Sequence, residues 1–278
     1  MILIADSGST KTDWRLINKA GEKLPFETIG FNPYIVDSDT VLNGLLNSEL
    51  AAIKKSVTQV YFYGAGCSSE AKCKVVAEPL NTFFSNAKVN VEHDMLAAAR
   101  ATCGKEKGMI AILGTGSNSC LFDGTTIIEN VTALGYILGD YGSGVDIGKA
   151  LVKALMGKEL PSEIENKFNE DYNLTTVDIL DAVYKQAFPN RFLAGFSLFV
   201  FKNLNNAVIL KMVESRFELF FEKNICKYSD YQNSPLHLVG SIAFIYQDYF
   251  KKIAEKHNVK IGKIIKQPIE ELVEFHIN

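Results

Sequence analysis

The stretch "MILIADSGSTKTDWRLIN", residues 1–18, decides how the chain is read. An apolar run ends at the carboxylate of Asp6. A short segment of glycine, hydroxyl-bearing residues and one lysine follows, and the apolar pattern resumes as "DWRLI". Apolar runs of this length on either side of a glycine-containing turn predict strand, turn, strand. Such a turn aims backbone N–H groups and hydroxyls out of the end of a sheet, a nest of donors suited to phosphate oxygens. The same residues also serve an ordinary tight hairpin, in which Gly and Ser simply permit the bend.

The pattern recurs. "IADSGSTKTDWRLI" (residues 4–17) and "AILGTGSNSCLFD" (residues 111–123) are both strand, glycine-hydroxyl turn, strand, with Gly8-Ser9 aligned on Gly116-Ser117. Two such turns in matching positions predict two similar halves and one polyphosphate gripped from both sides, a stronger reading than either turn supports alone.

Around these turns, strand-like and helical runs alternate. The helical "TVLNGLLNSELAAI" precedes "VTQVYFYGAG", and "KVNVEH" precedes "DMLAAARA". That alternation predicts an α/β fold. From about Leu151 to Lys227 the pattern becomes largely helical, with apolar residues three and four apart in "FKNLNNAVILKMVESRFELFFEKN". The strand "PLHLV", the helix "SIAFIYQDYFKKIAEKH", the strand "KIGKIIKQ" and the helix "PIEELVEFH" complete the chain. The join between halves falls near "CGKEKG", which predicts domains at residues 1–105 and 106–278, the second with a helical insertion at about 151–227.

Composition narrows the class. The 278 residues are 47% hydrophobic and 22% charged, as in an ordinary soluble protein of about two domains. A net charge of −3, from 29 basic and 32 acidic residues without a basic block, argues against nucleic acid as a partner. No run approaches the ~18 apolar residues of a membrane span, and "MILIADSG" has neither the basic flank nor the length of a signal peptide. A cytoplasmic protein with a small-molecule ligand and no membrane partner is expected. Cys67, Cys73, Cys103, Cys120 and Cys226 are scattered without a CxxC, which suits reduced core thiols.

Better-known phosphate loops do not fit. "SGVDIGKA" has Ser143 in place of the first Walker A glycine and Ala150 in place of the magnesium-binding hydroxyl. Gly64-Ala65-Gly66 and Gly114-Thr115-Gly116 each meet a serine, Ser69 and Ser119, where a dinucleotide fingerprint needs its third glycine.

Six segments in order carry a resemblance: "DSGSTKTDW", "GFNPY", "EHDMLAAA", "LGTGSNS", "GYILGDYGSG" and "LVGSIA". In them the chain resembles the actin, hexokinase and heat-shock-chaperone superfamily of ATPases. Within it, the chain is similar to the N-acetylglucosamine kinase and glucosamine kinase group, which shares a pattern with activator ATPases of 2-hydroxyacyl-CoA dehydratases. The resemblance implies two ribonuclease-H-like domains hinged about a nucleotide cleft. It also implies ATP-dependent phosphorylation of an amino sugar, with N-acetylglucosamine and its 6-hydroxyl favoured, and with ATP and Mg²⁺ as cofactors.

The implied roles fall on particular residues. Asp6 would face the metal, since Mg²⁺ prefers a carboxylate completed by waters and phosphate oxygens. Ser9, Thr10 and Thr12 would offer donors to the phosphates, Lys11 a positive charge, and Gly114, Thr115 and Gly116 the second phosphate turn. Gly240 would let the backbone approach adenine or ribose, with Ser241 opening the helix beyond it. Asp94, just after a strand and just before a small-residue helix, would take the proton of the attacking hydroxyl, cap that helix, or both. Asn32, Asp140 and the backbone of Gly116 and Ser117 would bind the sugar. Tyr141 stands where relatives often carry Glu, which leaves the identity of the sugar open. Asn32 before Pro33 is equally a turn residue, and Asp140 equally a helix cap.

Two further classes stay in view. An activator ATPase needs cysteines beside the glycine turns to hold an iron–sulfur cluster, and only Cys120 and Cys67 lie near such turns. A non-catalytic sugar or nucleotide sensor would have no use for Asp94. Small-molecule partners are expected, with homodimer formation left open.

Overall fold

The computed structural model describes residues 1–277. The chain forms two compact units, Met1–Lys105 with Gln267–Asn278, and Glu106–Lys266.

In the first unit the opening stretch forms β1 (Ile2–Ser7) and β2 (Lys11–Ile17), followed by β3 (Lys23–Ile29), β4 (Gln59–Gly64) and β5 (Lys88–His93). The sheet order is β3-β2-β1-β4-β5. The first three strands are antiparallel, and β4 and β5 are parallel to β1. β1 is central, so Leu3, Ile4 and Ala5 are buried on both faces. Alternation along β2 sends Trp14 and Leu16 into one core with Phe31, Phe62 and Phe84. Helices Ser38–Leu46 and Glu70–Phe83 pack on that side. Arg15, between Trp14 and Leu16, points to the other face and bonds Glu270 at 2.7 Å.

Glu270 belongs to the last helix, Ile269–Ile277, and this corrects the expected second domain of 106–278 at its end. The helix packs on Asp94–Cys103, β1 and β2. Its apolar Ile269, Leu272 and Val273 are buried. Lys23 pairs with Glu274, Tyr63 Oη meets His276 Nε2 at 2.8 Å, and the imidazole stacks on Tyr61 at 3.8 Å. An amphipathic helix goes where its apolar stripe finds a partner, and order along the chain carries no information about that.

The second unit repeats the arrangement with β6 (Gly108–Leu113), β7 (Ser117–Phe122), β8 (Ile127–Val131), β9 (Leu236–Val239) and β10 (Ile261–Ile265). Its sheet runs β8-β7-β6-β9-β10, an antiparallel meander followed by two parallel strands, the order of the first sheet again. Each glycine turn joins the first two strands of its meander. The helical insertion is present, from Gly144–Met156 through Ala207–Lys223. Its apolar faces, Ile147, Leu151, Phe217, Phe220 and Phe221 among them, form one core with Met109, Leu113, Leu238 and Phe250. Among the described residues, no helix is long and apolar enough to cross a membrane.

Candidate active site

The first turn is a tight hairpin closed by Gly8 N–H donating to Lys11 O at 3.0 Å, with Ser9 and Thr10 at its tip. Beneath it, Ser7 Oγ and Thr12 Oγ1 share a buried hydrogen bond of 2.7 Å. Thr12 Oγ1 also donates to Ile29 O at 2.9 Å. Thr12 is fully buried, so its hydroxyl fastens the hairpin and is not free for a phosphate, contrary to expectation. Lys11 differs as well: its ammonium sits on Asp13 at 2.9 Å and Glu27 at 3.4 Å, so its charge is spent on carboxylates of β2 and β3.

Gly30 holds the hairpin from the side. Its N–H donates to Thr10 O at 2.9 Å, and a Cβ there would lie 2.4–2.6 Å from backbone atoms of Gly8, Ser9 and Thr10. Asn32, two residues on, accepts from Tyr34 N–H at 3.0 Å through Oδ1 and donates through Nδ2 to Ser9 Oγ at 2.8 Å. It is therefore a turn residue, and it ties the expected sugar segment to the tip of the phosphate turn. Gly66, at φ +84°, clears space for it: a Cβ there would come within 2.3 Å of Asn32 Oδ1.

Two carboxylates lie beside this turn. Asp94 is the first residue of helix Asp94–Cys103, but the cap is His93, whose Nδ1 accepts from Leu96 N–H at 3.2 Å. The expected capping role thus passes to His93. Burial raises the pKa of Asp94, against smaller lowering by His93 and by the N–H groups of Met95 and Asp94. Asp6, at the end of β1, is pushed up to about 7, first by burial, then by the Asp94 charge and then by Asp13, with Lys11 opposing. Two part-buried carboxylates are thus concentrated here. That donor set suits a hard divalent cation whose remaining ligands are waters and phosphate oxygens. Among the described residues, no group of three or more His, Cys, Asp or Glu side chains is placed to hold a metal by itself.

The second turn is fastened differently. Gly114 N–H donates to Gly116 O at 3.0 Å, and the first N–H groups of helix Gly144–Met156 clamp the turn. Gly144 donates to Gly114 O at 2.9 Å and Val145 to Thr115 O at 3.0 Å. Thr115 and Gly116 carry the remaining N–H groups of the turn. Asp140 lies across it, with Oδ1 accepting from Ser117 N–H at 3.0 Å and Oδ2 so close that a Cβ on Gly116 would be 2.8 Å away. Asp140 adopts φ +55°, a sparsely populated conformation for a side-chain-bearing residue. Its carbonyl is held by Ser143 Oγ at 2.6 Å. Burial raises its pKa, and the Ser117 N–H opposes. Ser117 Oγ donates to Tyr141 O at 2.9 Å, so both donors of Ser117 are used within the unit. This replaces the expectation that Ser117 presents them to a sugar.

Gly114, Thr115, Gly144, Arg191, Ser197 and Ser241 line a cavity of about 210 Å³ in the second unit. Gly240, at φ +120°, has a packing reason of its own. A Cβ there would lie 2.3 Å from Leu113 O, so the glycine serves the packing of its own loop against β6. Ser241 is exposed at the start of the short helix Ser241–Ile245.

No protein-family model matches the chain, and no curated protein does. Among solved structures, it is similar to a candidate N-acetylglucosamine kinase from Porphyromonas gingivalis. The two share 42% identity over 99% of this chain and 98% of the other, with a TM-score of 0.94. The chain belongs to the N-acetylglucosamine kinase group of the actin, hexokinase and chaperone superfamily. A candidate N-acetylglucosamine kinase from Chromobacterium violaceum, 15% identical over 99% and 98% of the two chains, shares this kinase fold with a TM-score of 0.72. So does a ROK family glucokinase from Streptomyces griseus in complex with glucose and AMPPNP, 14% identical over 99% and 97%, with a TM-score of 0.56.

For this sugar kinase fold, three residues at the sites are not singled out by sequence. Gly30 sits inside the quoted "GFNPY" but reads as an ordinary loop glycine. Gly144 opens a helix whose start lies before the expected insertion. Arg191 comes from helix Pro189–Gly195, where "PNRFLAG" has no motif to mark it. Its guanidinium stacks on Phe188 at 4.5 Å while the residue lines the cavity beside the second turn.

Proposed function

We propose that the chain transfers the γ-phosphoryl group of ATP to an amino sugar, N-acetylglucosamine at its 6-hydroxyl, with Asp94 as general base. The observation that carries this reading is the pair of part-buried carboxylates: His93 caps the helix, and Asp94 at its first position stands beside Asp6 at the first glycine turn. An aspartate made more basic by burial is better suited to take a proton from a sugar hydroxyl. Asp6 would hold Mg²⁺, which supplies neutralisation of phosphate charge. The tips of the turns, Ser9 and Thr10 in one unit and Thr115 and Gly116 in the other, would orient phosphate oxygens through N–H groups. The cavity bounded by Thr115, Arg191 and Ser241 would take the rest of the nucleotide. Asn32 and Asp140, each tied to its turn, would position the sugar relative to the phosphates.

The nucleotide analogue and glucose in the Streptomyces griseus glucokinase support the assignment of ATP and a hexose. The name of the Porphyromonas gingivalis relative supports the amino sugar. The test is a screen of hexoses and amino sugars for sugar-dependent ADP release, with the position of the phosphate read by NMR. Turnover is expected with N-acetylglucosamine and a product carrying phosphate at the 6-position. ATP hydrolysis indifferent to every sugar would defeat the reading.

A further inference from the structure

The face of the first sheet that carries Asp6 also carries a polar network with no part in the chemistry above. Along β1 and β4, Ala5 and Phe62 join the Trp14 core. Their successors Asp6 and Tyr63, laterally paired in the sheet, therefore project to the opposite face. There Tyr63 is 1% exposed, and its hydroxyl accepts from Arg100 Nη1 at 2.7 Å and meets His276 Nε2 at 2.8 Å. Burial, with the Arg100 charge as second cause, lowers His276 to about 4. Its imidazole is thus neutral and accepts from the Tyr63 hydroxyl. The Arg100 guanidinium also lies over the rings of Tyr63 and Phe275, at 5.7 and 5.5 Å.

The links of this network lead to both carboxylates of the first turn. Tyr63 is the lateral neighbour of Asp6 on one side and, on the other, of Glu92, two residues before Asp94. Arg100 belongs to the helix whose first residue is Asp94. Phe275 and His276 come from the last helix, which packs on that same helix and on β1. A cationic donor on a buried hydroxyl makes a stronger bond than a neutral pair, and a guanidinium also held by two rings has little freedom to shift. We propose that Tyr63, Arg100 and His276 are positioning residues, which hold the helix beginning at Asp94 against the strand ending at Asp6 and so fix the base relative to the metal ligand. The last helix thereby completes the catalytic face of the first unit. The inference rests on the reading of Asp94 as general base.

The test measures kcat and KM for sugar and for ATP, with Tm alongside, in Tyr63→Phe, Arg100→Met and Arg100→Lys, and in Tyr63→Phe combined with Asp94→Asn. Phe keeps the ring and removes the hydroxyl that both partners share. Tyr63→Phe is expected to lower kcat about tenfold, with KM for each substrate changed by less than about twofold, because a small displacement of a catalytic group is felt in the transition state. Arg100→Met should fall as far, and Arg100→Lys, which keeps a charged donor, should recover part of the rate. In the Asp94→Asn background Tyr63→Phe should lower kcat no further, since a residue acting through the base then has nothing left to position. Parental kcat in Tyr63→Phe, whatever its Tm, overturns the proposal. So does an equal fall in kcat with and without Asp94, or a loss carried by KM. Should Tyr63→Phe not fold, Arg100→Met takes its place under the same criteria. Wild-type protein that turns over no sugar, or an Asp94→Asn variant of parental rate, defeats the reading on which the proposal rests; a slow Asp94→Asn variant beside a fast Tyr63→Phe variant defeats the proposal alone.

Discussion

The two glycine turns occupy the same place in two sheets of the same strand order, yet they are held by different means. The first rests on side chains: a buried Ser7–Thr12 pair below it, Asn32 at its tip and the bare Gly30 backbone at its side. The second is clamped by backbone, the N-terminal N–H groups of helix Gly144–Met156, with Asp140 laid over Gly116. Their electrostatics differ too. Two part-buried carboxylates, Asp6 and Asp94, lie beside the first turn, whereas a single carboxylate, Asp140, lies over the second and a cationic Arg191 lines the adjoining cavity. A repeated topology thus fixes where donors emerge from a sheet, and the packing around each turn decides whether the place suits proton and metal chemistry or ligand binding.

The sharpest way to break this contrast is Asp94→Asn. His93 supplies the helix cap, so the fold should be retained, while the amide cannot accept the proton. Turnover is expected to fall by ~10²–10⁴-fold with sugar affinity by calorimetry nearly unchanged. Near-parental turnover would place the base elsewhere and leave the first turn no more chemical than the second.

Next in size is a paired glycine experiment. Gly30→Ala drives a methyl into the backbone of three residues of the first turn, which cannot yield without moving it. Gly144→Ala meets Ala194 Cβ and Gly114 O at 3.2 Å, tight but open to small adjustment. A displaced turn should cost on the order of 10²-fold in kcat/KM for ATP in Gly30→Ala, against a few-fold in Gly144→Ala. Equal losses would mean that both turns depend on backbone contact to the same degree.

The smallest effect expected is on acid stability. Burial, with nearby Arg100 and Lys263 respectively as second causes, lowers His276 in the first unit and His237 in the second from 6.5 to about 4. Between those values the unfolded chain binds protons that the folded chain does not. The contribution of each neutral histidine is therefore whole above pH 6.5 and drains away as pH falls toward 4. Asp6, raised to about 7, has the opposite sign and favours the folded state as pH falls through the same window. His276→Phe and His237→Phe should each flatten the decline of Tm between pH 7 and pH 5 relative to wild type. An unchanged slope in either variant would show that its histidine is charged in the folded protein.

Much of the fold is legible because its signals are local. Apolar runs broken by glycine and hydroxyl residues mark both turns, and three- and four-residue apolar spacing marks the helical segment. The edge strands β3 and β8 escape notice because their side chains are mostly part-exposed or exposed, and β3 carries Pro25. At the site, the positions of Asp6 and Asp94 follow from where strands end. What their neighbours do is not legible in the same way.

By itself, then, the sequence determined two similar α/β halves, the place of each glycine turn and the carboxylates that end strands near the first. These depend on residues adjacent or a few positions apart, whose spacing is fixed by helix and strand geometry. Tertiary structure alone decided that the last helix joins the first unit, that Thr12 and Ser117 spend their donors on the protein and that Lys11 is paired. It also decided that Gly240 makes room for Leu113, and that Arg191 reaches a cavity of the second unit. In most of these cases the deciding partner lies far away in the chain. A donor, an acceptor or a charge has no fixed role until its partner is known, because burial and pairing, rather than residue type, set its free energy.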